Sequence, residues 1–494
     1  MSQNHTLSNN TVANITQALF SGVLSLVLYR YVNDTLGVAY LGVWSIILVT
    51  ISASRIADLG LSSSMTRFVA LYSARNAHKD AAKLIETALL SIMPLIGILL
   101  PIFYLIIYRI IPHLLDTKYT QVAQMLLPYA FISLGLNLAA SIILSALDGL
   151  QRMDLRSLLS IVGQLLMVVI SFWLIPDNGL LGLGLAQVIQ GMFLLISGWL
   201  VLRGQFIDLP KLPRHWSYPL FREMLAYGNN VQVTGLLSLF IDPLTKVLMV
   251  RFGGVDAAGY FEIANQLVLK VRTLIVAANQ AIVPRITQAL ETAPEDAHLL
   301  YRQNLRVLIF IALPIFTVLY SSNAALSWIL LGQVNSELVF LLQLSSAAWS
   351  FSIISIPAYF FNQGSGRVGL NTLSATIMVA TNIIVGFSLG LLFGMDGVAW
   401  AYAVSLLVGN WFLIAAFQRS NGILGNVFCL QEYKWLIVTC LFVIGASHIV
   451  NQGVPTRTLI FAFPLAATIV LAIVSWMHPM RREISDRLFV GSGR

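Results

Sequence analysis

Gly182-Leu183-Gly184-Leu185-Ala186 returns 215 residues later as Gly397-Val398-Ala399-Trp400-Ala401, and that interval decides the fold. The same interval separates Gly149-Leu150-Gln151-Arg152 from Gly364-Ser365-Gly366-Arg367. Near the start of each half, Tyr40-Leu41-Gly42-Val43-Trp44 pairs with Ala258-Gly259-Tyr260-Phe261. From that glycine the next loop arginine lies 25 residues on at Arg67 and 26 at Arg285. Three anchors at nearly one offset define an internal repeat.

The surrounding composition places the repeat in a bilayer. Of 494 residues 57% are hydrophobic and only 10% charged, with a mean hydropathy of +0.81, whereas soluble domains carry roughly 25% charged residues. Apolar runs of about 20 residues, the length that crosses the hydrocarbon core, mark spans near 12–33, 38–60, 84–110, 122–147, 157–176 and 180–202. A second six lie near 223–250, 255–283, 305–331, 337–362, 369–393 and 396–417, and two more near 433–451 and 456–478. The expected fold is therefore an all-α integral membrane protein of about 14 helices. Six spans per repeat is an even number, so both repeats enter the membrane in the same sense and are related by an axis along its normal. This predicts a six-helix lobe over 1–210, a second over 211–425, and two additional helices with a tail over 426–494, with a cleft between the lobes.

Basic residues resist translocation, so their distribution sets orientation. With a cytoplasmic N-terminus, five Lys/Arg fall in outer loops (Arg30, Arg109, Lys118, Arg251, Arg457) and four inside spans, leaving 20 of the 29 on the inner side. Both termini are expected in the cytoplasm. That asymmetry accounts for the net charge of +8, and no nucleic-acid partner is expected. The first apolar run continues for a full span and reads as a retained anchor. Two cysteines, Cys429 and Cys440, and seven scattered histidines offer neither a disulfide framework nor metal-ligand spacing. There is no G-x-x-x-x-G-K-[ST] or H-E-x-x-H, and the outer loops are short. Neither a cofactor nor an enzymatic activity is expected.

Arg55, Lys246, Lys270 and Arg272 interrupt these apolar spans. A cation at mid-membrane costs at least about 2.5 kcal/mol, so it faces a wet cavity, a bound anion or a paired carboxylate. The four are candidate ligands for an anionic cargo. On the eighth span, Glu262, Gln266 and Gln280 fall within about 40° of one direction, with Asn265, Arg272 and Asn279 beside them and Lys270 about 160° from Arg272. Glu262, Asn265, Gln266 and Asn279 are expected to line a watery lumen; the plainer alternative is that Glu262 and the cations form buried structural pairs. Asp242, one turn before Lys246, reads first as an intrahelical ion pair and second as a coupling group. Arg55 and Asp58 repeat the pattern near the inner end of span two. The segment from Leu61 to Lys83 reads as an amphipathic helix at the inner interface.

The Leu36-Gly37 to Trp44 entry, Ile56-Ala57-Asp58-Leu59-Gly60-Leu61, Ala258-Gly259-Tyr260-Phe261-Glu262-Ile263-Ala264 and Ile282-Val283-Pro284-Arg285 resemble bacterial repeat-unit flippases of the Wzx type. These belong to the multidrug, oligosaccharidyl-lipid and polysaccharide exporter superfamily. The resemblance implies a MATE-like fold in the bacterial inner (cytoplasmic) membrane. It implies a cargo of undecaprenyl-pyrophosphate-linked oligosaccharide, as in O-antigen synthesis, moved from the inner to the outer leaflet through a cationic cavity. A polysaccharide polymerase is a candidate partner beside the bilayer itself, and a monomer is the expected unit. By resemblance to lipid-linked peptidoglycan precursor flippases, Arg30, Arg55 and Arg272 correspond loosely to their cavity cations. Two rivals stay open: a cation-coupled multidrug exporter, for which Asp58 is the candidate carboxylate, and a membrane glycosyltransferase or polymerase of the same pathway.

Overall fold

The computed structural model describes residues 2–54, 61–75, 77–206, 209–225, 240–280, 294–365, 369–422, 430–452 and 456–481. Among these, the regular structure is helical throughout. In the first half lie α1 (Ser2–Leu36), α2 (Val38–Ser54), α3 (Leu61–Ala74), α4 (His78–Leu114), α5 (Thr117–Gly149), α6 (Met153–Asn178) and α7 (Leu180–Gln205). Then come α8 (Ile241–Gln280), α9 (Pro294–Ser321), α10 (Asn323–Leu331), α11 (Ser336–Ile353), α12 (Ile356–Gly364), α13 (Gly369–Ser420), α14 (Lys434–Gln452) and α15 (Arg457–Met477). The chain packs as one compact unit over Met1–Gly259 and another over Tyr260–Arg494.

Eight helices among the described residues are long and apolar enough to cross a bilayer, or nine if the bent pair α11 and α12 forms one span. Part of the difference from fourteen has physical causes, and the predicted spans two, seven and eight run into residues outside the described set. At 1.5 Å per residue a straight α13 of 52 residues would be about 78 Å long, more than twice the hydrocarbon thickness. It reverses instead at Gly394 (φ 60, ψ −136), and its two arms are the predicted spans eleven and twelve. Likewise α8 breaks at Gly254 (φ 81, ψ 179) between the predicted spans seven and eight. The predicted span 337–362 is broken by a 45° bend, with Pro357 in the first turn of α12, where its missing N–H costs no hydrogen bond.

The backbone carries the repeat seen in the sequence. Gly179, between α6 and α7, has φ 56 and ψ −138, nearly the values of Gly394. Three residues after each turn a glycine meets the preceding arm. A Cβ on Gly182 would lie 2.6 Å from the Leu174 carbonyl, and one on Gly397 would fall on the carbonyl of Leu389. Within the first unit, Gly42 and Gly259 meet reciprocally. A Cβ on Gly259 would be 2.6 Å from the Val38 oxygen, and one on Gly42 would strike the Val255 carbonyl.

In the first unit α5 packs most extensively on α7, and α7 on α6. Its core joins α3, α4, α5 and α7 through Leu61, Met65, Val69, Ile85, Ile143 and Leu202, all at most 1% exposed. The apolar face of α3 is thus buried against protein, not merely laid on the inner leaflet as its pattern suggests. In the second unit α9, α12, α13, α14 and α15 enclose Tyr301, Phe361, Phe417 and Leu436.

The segment linking the repeats is docked on α4. Glu86 is 3% exposed, and its Oε2 accepts the backbone N–H groups of Arg214 (2.6 Å) and His215 (3.0 Å). The Trp216 indole donates to Ser91 Oγ at 2.9 Å, and that of Trp199 to the Lys211 carbonyl at 3.0 Å. Removing the buried acceptor strands two donors, at about 1–3 kcal/mol each. We expect Glu86→Ala to expose the bonds after Lys211 and Arg214 to trypsin, read as faster cleavage of the folded protein into two fragments; unchanged cleavage kinetics would show that the carboxylate does not hold the segment.

Candidate functional site

The second arm of α8 positions the site, because its polar residues return every three or four positions and so share one side. Glu262 is fully buried, and its Oε1 accepts the Gln266 amide at 3.0 Å, one turn along. Asn265 is 1% exposed, and its Oδ1 accepts the hydroxyl of Tyr402 on α13 at 3.1 Å. The same hydroxyl accepts the indole N–H of Trp349 on α11 at 3.1 Å, and Tyr402 packs edge-on against Phe261 with centroids 5.2 Å apart. The Arg272 guanidinium carbon stands 4.5 Å over the Trp349 ring, and Tyr359 on α12 lies within its electrostatic reach. A cation over an indole face is held by the ring quadrupole without loss of its charge.

These contacts join Asn265 and Arg272 through two aromatic residues. Glu262 and Asn265, expected to line a wet lumen, are buried inside the protein instead; Gln266 is half-buried. Lys270 is half-buried, and among the described residues no carboxylate pairs with it. Lys246, 6% exposed, lies on the first arm of α8 within the other unit, one turn after the half-buried Asp242. Arg55 and Asp58 lie outside the described residues, as does the side chain of Asn279. Arg30 pairs with Asp34 at 2.6 Å on the surface of α1. The loop arginine Arg152 forks onto Asp154 with two bonds of 3.1 Å and donates to Gln205 at 3.1 Å, so it braces the α5–α6 connection.

Trp349 and Tyr402 are not evident from the motifs. One signal does exist: Trp and Tyr concentrate at the ends of membrane helices, whereas Trp349 falls in the middle of a predicted span, where its N–H needs a buried partner.

Residues 7–290, more than half of the chain, match the family described as "Polysaccharide biosynthesis protein". The chain belongs to this family. Among solved structures, the chain is similar to the lipid II flippase MurJ in an inward closed conformation. The TM-score is 0.72 at 15% identity, over 95% of this chain and 99% of that one. It is similar also to an inward-facing MATE multidrug resistance transporter, with TM-score 0.69 and 13% identity over 84% and 98% of the two chains. A transporter of the MOP superfamily from Pyrococcus furiosus matches with TM-score 0.59 and 12% identity over 84% and 95%. No curated protein matches the sequence. The protein is thus a multi-pass membrane protein with the fold shared by MurJ and MATE transporters.

Proposed function

We propose that this protein is a flippase that carries an undecaprenyl-pyrophosphate-linked oligosaccharide from the inner to the outer leaflet of the bacterial cytoplasmic membrane, for surface polysaccharide such as O-antigen. The lobes over 1–210 and 211–425 give alternating access, 426–494 adds two helices, and both termini are cytoplasmic. No covalent step is involved. Lys246, Lys270 and Arg272, with Arg55 at the entrance, meet the pyrophosphate; the polar side chains of α8, including Gln266 and Asn279, serve the sugars. A polymerase receives the product outside.

The observation that carries this reading is the Arg272 guanidinium carbon 4.5 Å over the Trp349 ring, with Lys270 two residues away and no carboxylate paired with that lysine among the described residues. A cation kept inside an apolar helix without such neutralisation, as Lys270 is, suits an anionic cargo. Moving two negative charges out of an electrically negative cytoplasm is downhill by about 4–5 kcal/mol at 100 mV, so the potential suffices as drive and neither Asp242 nor Glu262 needs to carry a proton.

Proteoliposomes loaded with the lipid-linked oligosaccharide test this. Outward movement should accelerate when the potential is made negative inside and slow when it is clamped to zero. Equal rates at both potentials would remove the proposed drive, and export of cationic dyes without movement of the lipid-linked sugar would favour the multidrug-exporter fold relatives.

A further inference from the structure

We propose that Trp349 and Tyr402 are positioning residues that fix the plane of the Arg272 guanidinium, and thereby select a phosphate or pyrophosphate group over a simple point anion. This rests on the cargo reading above. An arginine alone is a long, freely rotating side chain. Its advantage over lysine is a rigid fork of parallel N–H donors matched to phosphate oxygens, and that advantage is realised only when the fork is held in one plane.

The structure supplies such a hold. The Trp349 ring lies 4.5 Å below the guanidinium carbon and is itself 7% exposed. Its orientation is set from the far edge, where the indole N–H donates to Tyr402 Oη; turning the ring over would bury that donor unpaired. Tyr402, 1% exposed, is in turn fixed because its hydroxyl donates to Asn265 Oδ1. Asn265 sits two turns before Arg272 on the same helix, so the contacts run from α8 through α13 and α11 and return to α8. A shift of α11 or α13 against α8 is therefore passed to the guanidinium.

A separate set of bonds keeps α11 and α13 together when this circuit is cut. The Asn410 amide donates to Ser352 Oγ at 3.0 Å, and Ser355 Oγ, just past the end of α11, donates to Asn410 Oδ1 at 2.5 Å; within α13, Ser374 Oγ donates to the Gly409 carbonyl at 2.8 Å and ties its two arms. Tyr402→Phe removes only the central hydroxyl and leaves the ring against Phe261.

The test measures binding of inorganic pyrophosphate to the purified full-length protein, with thermal midpoints recorded in parallel. Trp349→Leu is expected to weaken binding about tenfold and Tyr402→Phe about threefold, while Trp349→Phe, which restores a ring under the cation, recovers part of the loss. In an Arg272→Ala background the same substitutions should have no further effect, since they act through that guanidinium. Wild-type binding by Trp349→Leu and Tyr402→Phe, or losses that persist in the Arg272→Ala background, would overturn the positioning role. Wild-type binding by Arg272→Ala itself would instead overturn the cargo site on which it rests.

Discussion

Arg272→Ala is expected to slow outward movement of the lipid-linked oligosaccharide by about a hundredfold in proteoliposomes that contain equal amounts of folded protein. Charged hydrogen bonds are worth about 1.5–3 kcal/mol each, so losing a bidentate pair corresponds to roughly two to four decades; a loss near two is expected because water replaces part of the missing bonding. Lys270→Ala should cost less, about tenfold, because an ammonium is a point charge without the fork. Arg272→Lys is the sharper variant. It keeps the charge but neither the planar donors nor the spread over Trp349, so it should remain well below the wild-type rate. If Arg272→Lys transported normally, net charge alone would account for the site and the geometry on Trp349 would be irrelevant. If Arg272→Ala itself transported normally, the cargo would have to be held elsewhere.

What the sequence discloses and what it hides divide along a physical line. Gly182 and Gly397 are legible as a repeat because each sits where a helix returns against the carbonyls of Leu174 and Leu389, a place only a residue without Cβ can occupy. The cations are legible because hydrocarbon makes any charge conspicuous. The environment of those cations is not. Periodicity tells which side of α8 holds Glu262, Asn265 and Gln266, but water and a neighbouring helix look the same from within one segment; Tyr402 rather than solvent meets Asn265. The amphipathic pattern of α3 is ambiguous in the same way, and Met65 and Val69 face α4 and α5. Span counting works even where a glycine reverses an apolar run with no polar connection, since α13 breaks at Gly394, where the sequence separates spans eleven and twelve.

The reciprocal contact of Gly42 and Gly259 leads to the second large effect. Each lies five residues after a glycine of positive φ, Gly37 at 93° and Gly254 at 81°, and each faces the carbonyl that opens the other's helix. A methyl group at either position must push the same two backbones apart, and backbone gives less readily than a side chain. Gly42→Ala and Gly259→Ala should each destabilise the protein by about 1–3 kcal/mol, near the upper end because the clash is with carbonyl groups. The double variant should cost clearly less than the two single costs combined, since the first substitution already opens the gap that the second needs. Gly182→Ala and Gly397→Ala make the control pair: their clashes are equally severe, but they occur in two separate hairpins, so their costs should simply add. Thermal melts of the four single and two double variants decide the matter. Additive losses at Gly42 and Gly259 would mean that the two glycines do not share one contact, and their reciprocal packing would have to be abandoned.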